Sequence, residues 1–315
     1  MAPLPRPVPS TLRAIKAALE TGHDDWESVG VPAGDIGTEC DRAIWLAFRR
    51  ASKPEEITWQ KRRIFERGNI EEERLLDLLR LIGCEVTGQQ ERVRAAGGHL
   101  RGKIDGRATG IIEAPKTEHL IECKSAKDES FKKLKDGVKK GNPGHYATFQ
   151  FYMWGTGLTR VLYMCTNKDN ELLHLERVEY DHEFAIRQVA RIERIIQTPN
   201  IPSRLCTKRD DFRGLFCRQA EVCWGEIRAR SHCRSCLHAT PLMDGNAGWD
   251  CSRWNKPLSL AEQDAGCPAH LYVPTMMVGW QQTEVDEDAE TVTYTHEATG
   301  RSWTDGAARE VEEVA

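Results

Sequence analysis

Three residues in two short segments have the chemistry of a hydrolytic centre. RGKIDGR (101–107) carries Asp105, and LIECKS (120–125) carries Glu122 and Lys124. Side chains alternate along a strand, so Glu122 and Lys124 share one face and Cys123 points to the other. If the two segments pair as a meander, Asp105 sits beside Glu122. Two carboxylates there can hold one hard divalent cation, with water and phosphate oxygens completing the shell. Such a cation acidifies its bound water and neutralises charge building on a scissile phosphate; Lys124, next to that water, can orient it or stabilise the developing charge. The plain alternative is a half-exposed strand, in which charged and apolar residues alternate with no catalytic role. The order of the segments favours chemistry: a helix with a carboxylate, then G-x-I-D-G, then apolar-E-x-K, then a helix rich in aromatics.

These residues need elements to hold them. Residues 61–82 give the strongest helical signal, with Leu75, Leu78, Leu79 and Ile82 at helical spacing and Gly83 as a stop. On that helix Glu71 and Glu72 both border the Leu75/Leu79 face, and Glu73 points away. Spacing alone does not choose between the first two. From 85 to 125 the period changes to two, which predicts three or four strands with turns at Gly88, Gly97–Gly98 and Pro115. A helix at 145–156, a strand at 160–166, a turn at Lys168–Asn170, a strand at 171–178 and a helix at 181–196 follow. Upstream, Leu12, Ile15 and Leu19 suggest a short amphipathic helix after a loose Pro-rich arm, and 39–51 reads as a helix burying Ile44, Trp45 and Phe48. Gly97-x4-Gly102-Lys103 comes near a P-loop, but Ile104 replaces the Ser/Thr and a strand follows, so that reading fails.

The motifs IGTECDRAIWLAFR (36–49), FERGNIEEERLLDLLRLIG (65–83), RGKIDGR, LIECKS and YATFQFYMWG (146–155) resemble the PD-(D/E)xK nuclease superfamily, in its RecB-like and CRISPR-associated-exonuclease branch with related phage proteins. The resemblance covers roughly residues 36–225. It implies an α/β, restriction-endonuclease-like mixed sheet flanked by helices, and Mg²⁺- or Mn²⁺-dependent phosphodiester hydrolysis. It implies Asp105 and Glu122 as metal ligands, Lys124 as the catalytic lysine, Glu72 as the acidic residue of Gly-His-x-x-Glu, and Tyr152 as the tyrosine of Gln-x-x-x-Tyr. Asn69 stands where that pattern has histidine, and Thr148 where it has glutamine.

Eleven cysteines are many for a reducing compartment, and seven fall between Cys206 and Cys267. Clustered cysteines there read first as metal ligands. Cys233-x2-Cys236 with Cys251 and Cys267 would satisfy tetrahedral Zn²⁺, and His232, His238 or His270 could each replace a thiolate. A redox C-x-x-C or buried free thiols are the competing readings. In the branch that carries iron–sulfur, one upstream cysteine joins three downstream. That resemblance implies a possible [4Fe–4S] cluster at Cys40, Cys206, Cys217 and Cys223, with Gly214 where a further cysteine is expected. Cys84, Cys123 and Cys165 read as core.

Four stretches result: an N-terminal arm and helix at 1–35, a nuclease core at 36–203, a Cys-rich module at 204–275 and an acidic tail with a possible hairpin at 276–315. The tail from Gln281 holds ten acidic and two basic residues, which leaves the preceding body at net +4 although the whole chain is −4. A polyanionic partner for the body is therefore compatible with the charge. Lysines at 124, 127, 132, 133, 135, 139 and 140 could neutralise phosphates, or form a solvated face. Arg204, Lys208, Arg209, Arg213 and Arg218 could form a second basic edge. Nothing reads a base sequence, so the expected partner is DNA through its backbone, at ends or single strands. No run is apolar enough to span a bilayer and no secretory leader is present, so the expected setting is cytoplasmic, the host's if phage-encoded. Two functions compete: a DNA exonuclease serving phage or prophage recombination or replication, and a non-catalytic nucleic-acid-binding protein on a degenerate nuclease fold with a zinc module.

Overall fold

The computed structural model describes residues 9–20 and 29–306; most of the expected N-terminal arm and the end of the acidic tail lie outside them. Helices α1 (Ser10–Glu20), α2 (Asp41–Phe48) and α3 (Trp59–Leu81) precede or flank the short strand β1 (Val31–Pro32). Strands β2 (Glu85–Thr87), β3 (Arg92–Ala95), β4 (Leu100–Lys103), β5 (Gly106–Thr109) and β6 (His119–Ala126) follow. Next come α4 (Asp128–Lys132), α5 (Val138–Gly141), α6 (Pro143–Thr156), β7 (Arg160–Asn167), β8 (Leu173–Glu179) and α7 (His182–Gln197). The Cys-rich region holds α8 (Ala220–Cys223), β9 (Ala239–Pro241), β10 (Trp249–Cys251), β11 (Lys256–Leu258) and α9 (Leu260–Ala265). The chain closes on β12 (Trp280–Asp286), β13 (Thr291–His296) and β14 (Ser302–Asp305).

The central sheet has the order β2-β5-β6-β7-β8, with β6 and β7 parallel and the other pairs antiparallel. A parallel pair needs a crossover, and α6 supplies it. Asn142 caps α6 by accepting from the His145 N–H, Pro143 sits in its first turn, and Gly157 ends it at φ +74. One sheet face packs Leu75, Leu76 and Leu79 of α3 against Ile121, Cys123, Leu162 and Met164. The other packs α6 and α7 against Leu120, Val161, Tyr163 and Cys165. Strand β6 is thus covered on both sides, and its first five residues are all buried.

One sequence expectation changes. Leu78 and Ile82 were expected on the buried stripe of α3, but they are 40% and 58% exposed, and Leu76 takes their place in the core. The stripe is rotated toward the side on which Glu72 lies, because 72, 75, 76 and 79 form one face at helical spacing. Helix α1 forms where its apolar spacing predicts; Leu12 and Ile15 are exposed, Leu19 is half-buried, and the helix meets α3 through Lys16 over the Trp59 ring at 5.1 Å.

The region after residue 204 shares the main core. Trp249 is fully buried and packs on Phe48 of α2, with ring centroids 5.2 Å apart. The Arg49 guanidinium lies between Trp45 (5.0 Å) and Trp249 (5.5 Å) and donates to the Arg234 carbonyl. Arg234 in turn donates to the carbonyls of Phe48 and Val29 and to Gln263. At its other end α2 is tied by Arg42, which donates to the carbonyls of Pro202 and Cys223. Strands β12, β13 and β14 form a separate antiparallel sheet whose second hairpin turns through Thr299–Gly300.

Candidate active site

Strand β5 stops pairing with β6 at Gly106 opposite Ile121, so the next residues of β6 lose their neighbour on that side. Asp105 fills the gap. Its Oδ2 accepts the Cys123 N–H at 2.7 Å, replacing the missing ladder bond. The same register sets Asp105 opposite Glu122. The segment read as one strand, LRGKIDGR, is broken at Ile104–Asp105: β4 pairs with β3 and β1, and β5 with β2 and β6. That break turns the aspartate toward β6.

Lys124 Nζ donates to Glu122 Oε2 at 2.9 Å, to the Cys123 carbonyl at 3.0 Å and to Asp105 Oδ2 at 3.4 Å. Glu122 is 1% exposed, which rules out the half-exposed strand, and its Oε1 is buried without a hydrogen-bond partner. An unpaired carboxylate oxygen at that depth is costly unless it is protonated or binds a cation. Burial pushes the Glu122 carboxyl up to about 8, against the pull of the Lys124 ammonium. Burial also works against the charge on Lys124, but Glu122 and Asp105 outweigh it and hold the ammonium well above its ordinary range.

Of the three helical carboxylates, Glu72 is the one in this field. Burial and Asp105 both raise it, and Gln90 donates to its Oε1 at 2.9 Å. Glu71 accepts from the Thr166 hydroxyl at 2.6 Å and pairs with Arg74. Glu73 is exposed and pairs with Arg80. Tyr152 is buried, its phenol raised by burial and by the Glu122 charge, and its oxygen lies against Gly102, where a Cβ would come within 2.4 Å. A side chain larger than glycine would push the tyrosine from the cleft.

Thr148, where the sequence resemblance expects glutamine, is buried and donates to the carbonyls of Ala33 and Gly144 at 3.1 Å, so it braces α6. Asn69 is exposed on α3. Two neighbours of Lys124 were not anticipated. His145 lies close enough for the lysine charge to add to burial in lowering its imidazole to about 4, and its Nδ1 is 3.2 Å from the Tyr163 hydroxyl. His145 precedes Tyr152 by two helical turns, a spacing that puts them on one face and was readable. Tyr163 faces Glu122 only through the parallel register of β6 and β7.

Among the described residues, no group of three or more His, Cys, Asp or Glu is spaced to hold a metal ion as it stands. In the carboxylate site the Lys124 ammonium lies between Asp105 and Glu122. The cysteines nonetheless gather in two sets. Cys233, Cys236, Cys251 and Cys267, with His238 and His270, wall a cavity of about 120 Å³. Cys40, Cys206, Cys217 and Cys223 wall another of about 40 Å³. All are free thiols. Burial and the neighbouring sulfurs push Cys233 up to about 11. His232 is engaged elsewhere, its Nε2 on the Arg50 carbonyl and its Nδ1 on the Arg234 N–H, and His270 Nε2 meets the Ser235 hydroxyl. Cys84, Cys123 and Cys165 are buried in the core. Lys132, Lys133, Lys135 and Lys140 line one open hollow, and Lys132 and Lys133 pair with Asp128 and Glu129. No helix of the described residues is long and apolar enough to cross a membrane.

No family model and no curated protein matches the chain. Among solved structures it is similar to SSO0001, at 16% identity over 69% of this chain and 97% of that one, with a TM-score of 0.40. It is also similar to an alkaline exonuclease, LHK-Exo from Laribacter hongkongensis, at 15% identity over 58% of this chain and 90% of that one, with a TM-score of 0.35. The complex of LHK-Exo with dAMP gives 15% identity, the same coverage and a TM-score of 0.36. At these scores the overlap is partial. The chain itself is a mixed α/β protein whose central sheet carries Asp105, Glu122 and Lys124 at one broken edge.

Proposed function

We propose that this protein is a divalent-metal-dependent nuclease that hydrolyses phosphodiester bonds in DNA, acting as an exonuclease in phage or prophage recombination or replication. The observation that carries the chemistry is the buried Glu122 carboxylate, with one oxygen on Lys124 and the other unpaired, beside Asp105. Glu122, Asp105 and Glu72 are oxygen donors of the kind Mg²⁺ or Mn²⁺ takes, and the unpaired oxygen suits a cation. A bound cation supplies an acidified water and charge neutralisation at the phosphate. Lys124 holds a proton at Nζ, from which it can donate to an attacking water or to a phosphate oxygen. Tyr152 and the neutral His145 close the cleft on the α6 side. The exonuclease mode and the phage setting rest on the resemblance of the motifs quoted above; a [4Fe–4S] cluster is proposed for Cys40, Cys206, Cys217 and Cys223, which line one cavity. Zn²⁺ is proposed for Cys233, Cys236, Cys251 and Cys267.

A second reading, nucleic-acid binding without catalysis, is favoured by one specific observation: Thr148 is spent on backbone carbonyls and leaves the cleft without the family's amide. End-labelled linear DNA incubated with Mg²⁺ or Mn²⁺ separates the two. Hydrolysis is expected from the wild type, and Asp105→Ala should lose it by orders of magnitude. Wild-type rates from Asp105→Ala would end the nuclease reading.

A further inference from the structure

The segment from Arg204 to Gln219 is an ordered loop that holds large apolar side chains in water. Phe212, Leu215 and Phe216 are 78%, 53% and 85% exposed. The loop's backbone is folded on itself by Gly214 N–H to the Asp211 carbonyl at 2.8 Å, Leu215 N–H to the same carbonyl at 3.1 Å and Cys217 N–H to the Gly214 carbonyl at 3.1 Å. It is fastened to the body at several points. Arg204 donates to the Cys223 carbonyl and lies 4.5 Å from the Trp224 ring, Arg218 pairs with Glu55, and Gln219 accepts from Ser52 at 2.7 Å. The two phenyl rings are therefore presented on a fixed frame.

The loop itself carries an excess of basic residues, three of which are paired with acids of the loop or of the body. Between Arg204 and Arg218 stand five basic and two acidic residues. Lys208, Arg209 and Arg213 are exposed in the same loop. Arg209 pairs with Glu226 and Arg213 with Asp211, but exposed pairs are worth little and a guanidinium keeps further donors for a phosphate. Fixed aromatic faces among cations are what a single strand requires: bases stack on the rings regardless of sequence, and the backbone runs along the charges.

The loop also neighbours the turn at residues 33–39, which packs on α6. Arg218 lies within electrostatic reach of Asp35, and Arg213 of Glu39. The turn that holds these acids packs directly on α6: Thr148 bonds the Ala33 carbonyl, and a Cβ on Gly37 would come within 2.7 Å of the Gly144 Cα. That first stretch of α6 carries His145.

We propose that the Phe212/Phe216 loop is a stacking platform for single-stranded nucleic acid, with bases on the two rings and phosphates on Lys208, Arg209 and Arg213. The proposal rests on the nuclease reading for its substrate and adds to it a place where a single strand is held.

Binding of a short labelled oligo-dT and of a blunt duplex is measured by fluorescence anisotropy in EDTA, on the Asp105→Asn protein, so that hydrolysis plays no part. Phe212→Ala/Phe216→Ala should weaken oligo-dT binding by about tenfold or more and leave the duplex nearly unchanged. Phe212→Leu/Phe216→Leu should lose as much, because leucine is apolar but offers no ring, and Phe212→Trp/Phe216→Trp should keep the affinity. Unchanged oligo-dT binding by the alanine pair overturns the proposal and gives the patch to a protein partner. Equal losses on duplex and single strand, or full affinity in the leucine pair, overturn it as well. If oligo-dT binding depends on the two rings while the wild type hydrolyses nothing in Mg²⁺, the platform stands and only the nuclease reading falls.

Discussion

Glu122 should make the metal-free protein lose stability as pH rises. Its carboxyl is pushed from 4.5 up to about 8 by burial. In the unfolded chain it returns to the ordinary value of about 4.3. Between the two values the folded protein keeps a proton that the unfolded chain has released. Stability therefore falls with increasing pH by about 1.4 kcal/mol per unit across that window, and levels off above about 8. From pH about 5.5 to about 7.5 this group alone should cost the folded state on the order of 2 kcal/mol. Glu122→Gln removes the titration while keeping the shape. The assay is urea unfolding of wild type and Glu122→Gln in EDTA at several pH values, taking the difference at each. That difference should move against the wild type as pH rises. Adding Mg²⁺ should then restore the wild type most strongly at high pH, because the cation competes with the proton, and should do less for Glu122→Gln. A wild-type-minus-Gln difference that stays flat from about pH 5.5 to 8 would refute the buried, protonated carboxyl.

Further outcomes follow from the same geometry. Glu72→Gln should slow hydrolysis far more than Glu73→Gln, since Glu73 faces Arg80 in solvent; equal rates in the two variants would remove Glu72 from the site. Neutralising Lys132, Lys133 and Lys135 together should weaken DNA binding and flatten its salt dependence by up to about 0.9 for each phosphate left without its cation; an unchanged slope would make these lysines a solvated face. Elemental analysis should find about one zinc per chain, and Cys233→Ser/Cys236→Ser should open residues 225–275 to protease. A brown protein absorbing near about 400 nm would add the iron–sulfur set at Cys40, Cys206, Cys217 and Cys223, whereas a colourless, metal-free protein whose module resists protease would sink both metal assignments.

What could be read from the residues was local. The period of α3, the helix expected at 145–156 and the turn at Lys168–Asn170 are written in short spacings, and those elements form, with α6 starting two residues earlier at Pro143. Alternation put Glu122 and Lys124 on one face, and Cys123 packs on the other. Long-range register was not legible. Nothing near Asp105 announces that its strand changes sheets there, or that its carboxylate replaces a ladder acceptor for Cys123. Helix spacing set Glu73 aside, but the choice between Glu71 and Glu72 needed Leu76 in the core, and a sequence stripe that included Leu78 and Ile82 blurred it. Charge runs were the least informative: the lysine segment proves to be partly paired with its own acids, and the loop with exposed phenylalanines looked like part of a cysteine module.

The short helix α2 fixes the order in which the chain can fold. Its Trp45 bonds the Thr198 carbonyl, and its C-terminal turn is clasped by His232, Arg234 and Trp249. These partners lie some 150 to 200 residues downstream. On a ribosome adding about 5–20 residues per second, an emerging α2 waits many seconds for these partners. During that interval it can meet only β1 and the His99 ring against Phe48, and Trp45, later fully buried, lacks its Thr198 hydrogen bond. Pairings of such separation also slow the search in a free chain. Expression at lower temperature, or with chaperones in excess, should therefore raise the soluble yield more than it would for a protein whose early helices find local partners.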